Sequence, residues 1–247
     1  MMLSESDLIV PDWPAPQHIK ALQTTRVGGV SQQPYHTLNL GDHVGDDPLI
    51  VAANRQLLNR FVPTEPVWMR QVHATNVIDA GLAGCLPEAD AAYTRSHDTV
   101  CCVMTADCLP VLLCDEAGSI VAAVHAGWRG LLDGVIEKTI SAMQVSATSL
   151  MAWLGPAIGP QAFEVGDEVR ESFIEADGKA RQAFTALESG KWLADIYLLA
   201  RQRLQSMDVN QIYGGDFCTF TDASRFYSYR RDHSTGRMAT LIWLAKK

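Results

Sequence analysis

Three residues able to bind a soft or borderline metal, His73, Cys108 and His125, each follow or end an apolar, β-branched run: Val67 to Val72, Val100 to Thr105, and Ile120 to Val124. Imidazole and thiolate together suit zinc or copper. The three are separated by 35 and 17 positions, so no local motif unites them and only the fold can. Taken singly, a histidine at a strand end is a hydrogen-bonded structural residue and a cysteine in an apolar run is packing. His125 leads into Ala126-Gly127-Trp128-Arg129-Gly130, a strand-to-helix turn whose glycines let a ligand approach the backbone and whose helix N-terminus suits an anion. A second chemistry uses the same atoms: a Cys108 thiolate as nucleophile and His125 as its base would make an amide hydrolase.

What must position these residues is an acidic globular chain of 247 residues, 47% hydrophobic and 19% charged, with a mean hydropathy of zero. That composition excludes disordered, collagenous and membrane-embedded classes. Twenty Lys and Arg against 28 Asp and Glu leave a net charge of −8, which repels a nucleic-acid backbone. Met1 to Trp13 has neither the basic nor the apolar region of a signal peptide, and no uncharged stretch is long enough to span a bilayer. The expectation is a cytoplasmic protein with no membrane partner and six reduced cysteines. Four of the six fall between Cys101 and Cys114 without a C-x-x-C pair, which excludes a zinc ribbon.

No linker or repeat divides the chain, so 1–247 reads as one domain. Asp46-Asp47-Pro48 predicts a helix start, with the helix running to about Phe61. Helical spacing recurs in Leu131 to Met143, Val169 to Ala176 and Ile196 to Leu204. Strands are predicted at Ile19 to Thr25, Val67 to Val72, Asn76 to Ala80, Val100 to Thr105, Val111 to Cys114, Ile120 to Val124, Leu150 to Leu154, Phe226 to Tyr229 and Ala239 to Trp243. The hairpin-sized gap Asp115 to Gly118 does not suit a doubly wound fold; the pattern predicts α+β with mixed or antiparallel sheet.

Seven stretches together carry a family resemblance. They are Thr25-Arg26-Val27-Gly28-Gly29-Val30-Ser31, Leu38-Asn39-Leu40-Gly41-Asp42-His43-Val44-Gly45-Asp46, Gln71-Val72-His73, Ala89-Asp90-Ala91, Thr105-Ala106-Asp107-Cys108-Leu109-Pro110, His125-Ala126-Gly127-Trp128-Arg129-Gly130 and Gly155-Pro156-Ala157-Ile158-Gly159-Pro160. In this order they resemble the YfiH/YlmD family, once labelled multicopper polyphenol oxidase or laccase-domain. The resemblance implies a single α/β/β/α-layered, YfiH-like domain with zinc on His73, Cys108 and His125. It also implies phosphorolysis of purine nucleosides (adenosine, inosine, guanosine, methylthioadenosine) to free base and ribose 1-phosphate, with adenosine deaminase activity. The partners expected are therefore purine nucleosides and phosphate, with the chain a monomer or homodimer.

Three ligands leave a zinc ion one open position, the arrangement of a catalytic site. A deaminase also needs a proton-relaying carboxylate. Asp107 is the nearest in sequence and is otherwise a turn residue, while Asp90, in a small-residue strand, must pair with a base or face a pocket. For phosphate, Arg26 before Gly28-Gly29 and Arg129 before Gly130 fit, with Asn39 and His43 as further pocket candidates and one of Arg230 and Arg231 turned inward. The hydrolase alternative would act on peptidoglycan precursors. A purely structural zinc site would need a fourth ligand such as His43. Laccase chemistry is not expected: none of the seven histidines lie two apart, and copper would be an adventitious occupant of the His and Cys set.

Overall fold

Alternation along single strands sets the layers of this computed structural model, which describes residues 3–246. In β6 (Leu109–Asp115), Leu109, Val111 and Leu113 face one apolar core while Leu112 and Cys114 face another. Both faces of the strand are therefore buried, which requires a layer on each side.

β6 lies within a six-stranded sheet of order β12 (Gln211–Gly214), β8 (Leu150–Leu154), β6, β7 (Val121–Ala126), β4 (Ala91–Thr94) and β3 (Val77–Asp79). Its strands pair antiparallel except for the outer pairs β12 with β8 and β3 with β4. A second, four-stranded sheet runs β1 (Leu8–Ile9), β2 (Ile19–Thr24), β13 (Met238–Leu244), β5 (Cys101–Thr105), all antiparallel. Between the two sheets Cys101, Val103, Ile242 and Leu244 meet Leu112, Cys114, Val121 and Trp153. The far face of the larger sheet is covered by α3 (Val135–Met143), α4 (Asp167–Ala176) and α5 (Ile196–Ser206). The far face of the smaller one is covered by α1 (Pro48–Leu58), whose Leu58 packs with Cys102, Met104 and Leu241. These are the expected α/β/β/α layers, with mixed and antiparallel sheets. A small sheet of β10 (Phe184–Ala186), β11 (Trp192–Ala194) and β9 (Glu164–Val165) flanks α4.

Several predicted elements differ, each for a local reason. Helix α1 begins where Asp47 accepts the Leu49 N–H at 2.8 Å, with Pro48 in the first turn, and ends at Leu58 rather than Phe61. The Leu131 to Met143 helix is two: α2 (Trp128–Leu132) and α3, parted by Asp133 and by Gly134 at φ 91°. A helix N-terminus does follow the His125 turn, but α2 has only five residues and so a small dipole. Val67 to Val72 is not a strand; isolated bridges occur only at Val67 and Arg70, and the Val72 N–H turns to a buried side chain instead of a neighbouring strand. Phe226 to Tyr229 is not a strand either: Ser228 caps the short helix α6 (Tyr229–Asp232), accepting from the Arg231 N–H at 3.2 Å. Arg230 and Arg231 therefore sit on a helical turn. Strand β4 continues the small-residue stretch around Asp90; half of it is alanine, a weak strand former, so periodicity alone does not mark it.

The layer between the sheets is fully buried at Leu112. Leu112→Ala should lower unfolding free energy by about 2–5 kcal/mol, read from urea denaturation; a loss below about 1 kcal/mol would mean the two sheets are not closely packed there.

Candidate metal centre

The two central strands of the larger sheet and a backbone loop deliver the three ligands. His125 stands near the end of β7, Cys108 immediately precedes β6, and His73 lies in the irregular segment beyond Arg70. Their ligating atoms all lie within 4.8 Å of one another. Cys108 Sγ is 3.7 Å from His73 Nε2, and the two imidazole rings stand edge to face with centroids 4.8 Å apart. His125 is buried, Cys108 half-buried and His73 exposed, so the set opens from core to surface. Gly127 makes the approach possible: a Cβ there would lie 2.8 Å from His73 Cδ2 and 3.1 Å from Cys108 Sγ.

Asp90 holds this arrangement. Its carboxylate is completely buried at the start of the β4 region, and Oδ1 accepts from His125 Nδ1 at 2.8 Å and from the His73 N–H at 2.9 Å. Oδ2 accepts from the N–H groups of Val72 and Ala74 at 3.2 and 2.8 Å. With Nδ1 of His125 committed, its Nε2 is the nitrogen left for a metal, and the carboxylate fixes both tautomer and ring orientation. The same bonds hold His73 at φ 59°, a left-handed conformation that a non-glycine residue adopts only when held there.

Charge follows geometry. Burial disfavours the Cys108 thiolate, but His125 and His73 outweigh it and bring the thiol down to about 6. Burial likewise disfavours a charged His125, yet Cys108 and Asp90 raise it to about 9. Burial works against the Asp90 carboxylate too, and the His125 and Ala74 hydrogen bonds still hold it below its ordinary range. A thiolate and two imidazoles at this spacing fit a metal ion such as zinc; His43 is outside the cluster, so no fourth protein ligand is found among the described residues.

The cluster opens into a cavity of about 520 Å³, within the size range of small-molecule sites. Ile158, Phe163, Trp128 and Ile196 form an apolar wall, and Arg129, Arg230 and Arg237 supply positive charge. Arg129 is exposed and lies over the Trp128 ring at 4.3 Å; His43 lines the cavity mouth and bonds Asp42. Asp107 also lines it, but both its oxygens are engaged, Oδ1 by the Thr219 hydroxyl at 2.6 Å and Oδ2 by the Arg230 N–H at 2.6 Å. Arg26 and Asn39 are not in the lining. Arg26 donates to the carbonyls of His36 and Ala223 and stacks over Tyr227. Asn39 is buried and accepts from the Arg237 N–H at 2.9 Å. Of the arginine pair, Arg230 faces the cavity while Arg231 is tied to the carbonyls of Thr219, Phe220 and Phe226. Arg237 and Phe163 were not anticipated; each stands alone in a loop or at a strand margin where residue type carries no signal.

Residues 20–245 match the model of the family described as multi-copper polyphenol oxidoreductase laccase. The chain belongs to this family. It is 54% identical over 242 residues to the purine nucleoside phosphorylase YfiH of Escherichia coli (strain K12), covering 97% of this chain and 99% of that protein. It is 52% identical over 239 residues to the purine nucleoside phosphorylase of Haemophilus influenzae, covering 95% and 98%. Among solved structures, a Neisseria meningitidis protein superposes with a TM-score of 0.95 at 50% identity, covering 97% of this chain and 100% of that one. YlmD from Geobacillus stearothermophilus superposes with 0.85 at 28% identity, covering 94% of each.

Two outcomes check the centre. Asp90→Asn should weaken zinc binding about 10- to 100-fold in a competition titration with a chromophoric chelator; unchanged affinity would mean that the buried carboxylate does not orient His125. Because a lowered pKa makes thiolate available at lower pH, alkylation of Cys108 in metal-free protein should rise through a midpoint near 6, and His125→Ala should move it back toward the alkaline range. A midpoint above 8 in the unsubstituted protein would contradict the assigned electrostatics.

Proposed function

We propose that the chain is a zinc-dependent purine nucleoside phosphorylase that also deaminates adenosine. The observation that supports this reading best is the pairing of a three-ligand cluster with a cavity lined by both aromatic and cationic side chains. A purine packs against Phe163 and Trp128, and a phosphate ion meets arginine. Adenosine and inosine are the proposed substrates, with guanosine and methylthioadenosine as further ones; relatives named purine nucleoside phosphorylase support the class.

In phosphorolysis an oxygen of phosphate forms a bond to C1′ of the ribose while the C1′–N9 bond breaks. The electron pair leaves with the purine, which takes up a proton, and the products are free base and ribose 1-phosphate. The arginines hold the phosphate dianion against C1′ and offset its charge as the bond forms. His73, Cys108 and His125 would hold the zinc ion, which would supply Lewis-acid chemistry when bound. His125, fixed through Nδ1 by Asp90, keeps its ligating nitrogen aimed into the cluster. Asp107, with both oxygens engaged, positions α6 and Arg230, so the carboxylate coupled to the cluster is Asp90 acting through His125. Six free cysteines accord with a cytoplasmic site of action.

Incubation of zinc-loaded protein with adenosine should give adenine and ribose 1-phosphate only when phosphate is present, and inosine without it. Cys108→Ala should lose both activities at least about 100-fold together with its zinc. Activity that survives stoichiometric removal of the metal would favour the Cys108 and His125 hydrolase, whereas copper-loaded protein oxidising phenols faster than it consumes adenosine would favour the oxidase chemistry.

A further inference from the structure

Arg237 carries an arrangement that the cluster itself does not require. Its N–H donates to Asn39 Oδ1 at 2.9 Å, and its carbonyl accepts from the Leu40 N–H at 3.2 Å. The same Asn39 oxygen accepts from the Gly41 N–H, and its amide nitrogen donates to the Gly41 carbonyl and to Asp46. The stem of Arg237 lies on Gly41, where a Cβ would come within 2.8 Å of Arg237 Cγ and 3.2 Å of its Cβ. A buried polar network and a glycine therefore fix where this side chain goes.

Its guanidinium ends in the cavity only partly satisfied. Nη1 donates to the carbonyls of Thr235 and Gly236 at 3.0 and 3.1 Å; Nε and Nη2 have no partner among the described residues, and no carboxylate pairs with it. The remaining guanidinium N–H groups of this half-buried side chain are therefore free to donate to an anion in the cavity. Met238 pairs with Thr105 in the β13 and β5 ladder, which sets Arg237 beside Ala106 at the cavity wall. Thr105, itself in the lining, and Thr235 both have buried hydroxyls without a hydrogen-bond partner. The other two arginines of the lining are placed differently: Arg230 donates to the Glu164 carbonyl and lies over the Phe163 ring, and Arg129 lies exposed on Trp128.

We propose that Arg237, held by Asn39 and seated on Gly41, is the principal phosphate-binding residue of the cavity. The assignment rests on the phosphorylase reading for the role of the anion, though not for its binding. It gives the Leu38 to His43 stretch a purpose: Asn39 and Gly41 are positioning residues for an arginine almost two hundred positions away. The phosphate is held at the margin of the smaller sheet, where Arg237 precedes β13.

Titration calorimetry of the zinc-loaded protein with inorganic phosphate tests this. Arg237→Gln should weaken phosphate binding about 10-fold or more, and Arg237→Lys by less. Gly41→Ala, which leaves the charge in place and displaces the stem, should weaken it in the same direction with the protein still folded by circular dichroism. In steady state, Arg237→Gln should raise KM for phosphate about 10-fold while KM for adenosine changes less than about 3-fold. Phosphate binding unaltered in Arg237→Gln, or the two KM values rising together, would overturn the assignment while leaving phosphorolysis intact. If phosphate binds through Arg237 and adenosine is not cleaved, the phosphorylase reading falls and the anion site stands.

Discussion

A carboxylate cut off from water is the constraint on which the site depends. Burying the charge of Asp90 would be prohibitive without compensation, and the compensation consists of three consecutive backbone N–H groups and one imidazole. Those four donors come from two parts of the chain, the Val72 to Ala74 segment and the end of β7. Satisfying one carboxylate therefore brings His73 and His125 to their common position. Its backbone takes part as well, since the Asp90 carbonyl accepts from the His125 N–H at 2.7 Å. Cys108 needs no such tether, because β6 pairs directly with β7 and sets its first residues opposite the end of that strand.

The layers serve this junction. Alanines 91, 92, 122 and 123 let β4 and β7 lie side by side with little side-chain bulk, and Gly127 leaves a gap that the His73 ring and the Cys108 sulfur fill. The metal-centre cavity opens where β5 and β7 end and β6 begins, beside α2 and α6. The cavity is consequently a boundary between layers, with the smaller sheet contributing Met104, Thr105 and Arg237 and the helical side contributing Trp128, Phe163 and Ile196.

Much of this was legible beforehand. The α+β class with mixed or antiparallel sheet followed from strands that outnumber helices and from apolar runs bounded by turn residues, the layering came with the family resemblance, and the three ligands stood out as soft donors at strand ends. Asp90 was legible as a buried carboxylate in need of a partner, though not which partner. Illegible were the features that depend on long-range satisfaction. Val67 to Val72 has a strand's composition, but its last N–H group goes to a side chain. Phe226 to Tyr229 likewise has a strand's residues, and Ser228 spends its hydroxyl on a cap. Arg26 sits beside two glycines as a phosphate ligand would, yet nearby carbonyls claim it. Arg237 follows an unremarkable turn, and only the contact with Asn39 and Gly41 distinguishes it.

The thiols of Cys101 and Cys102 are sealed in the cores and pushed well up by burial, and that of Cys114 is pushed up to about 12. The half-buried Cys218 is lowered, and Cys108, brought down to about 6, combines an acidic thiol with a path to solvent. Such a sulfur is the one that peroxide attacks first, on the way to sulfenic and then irreversible acids. A metal ion coordinated by that sulfur would therefore also shield it from oxidation.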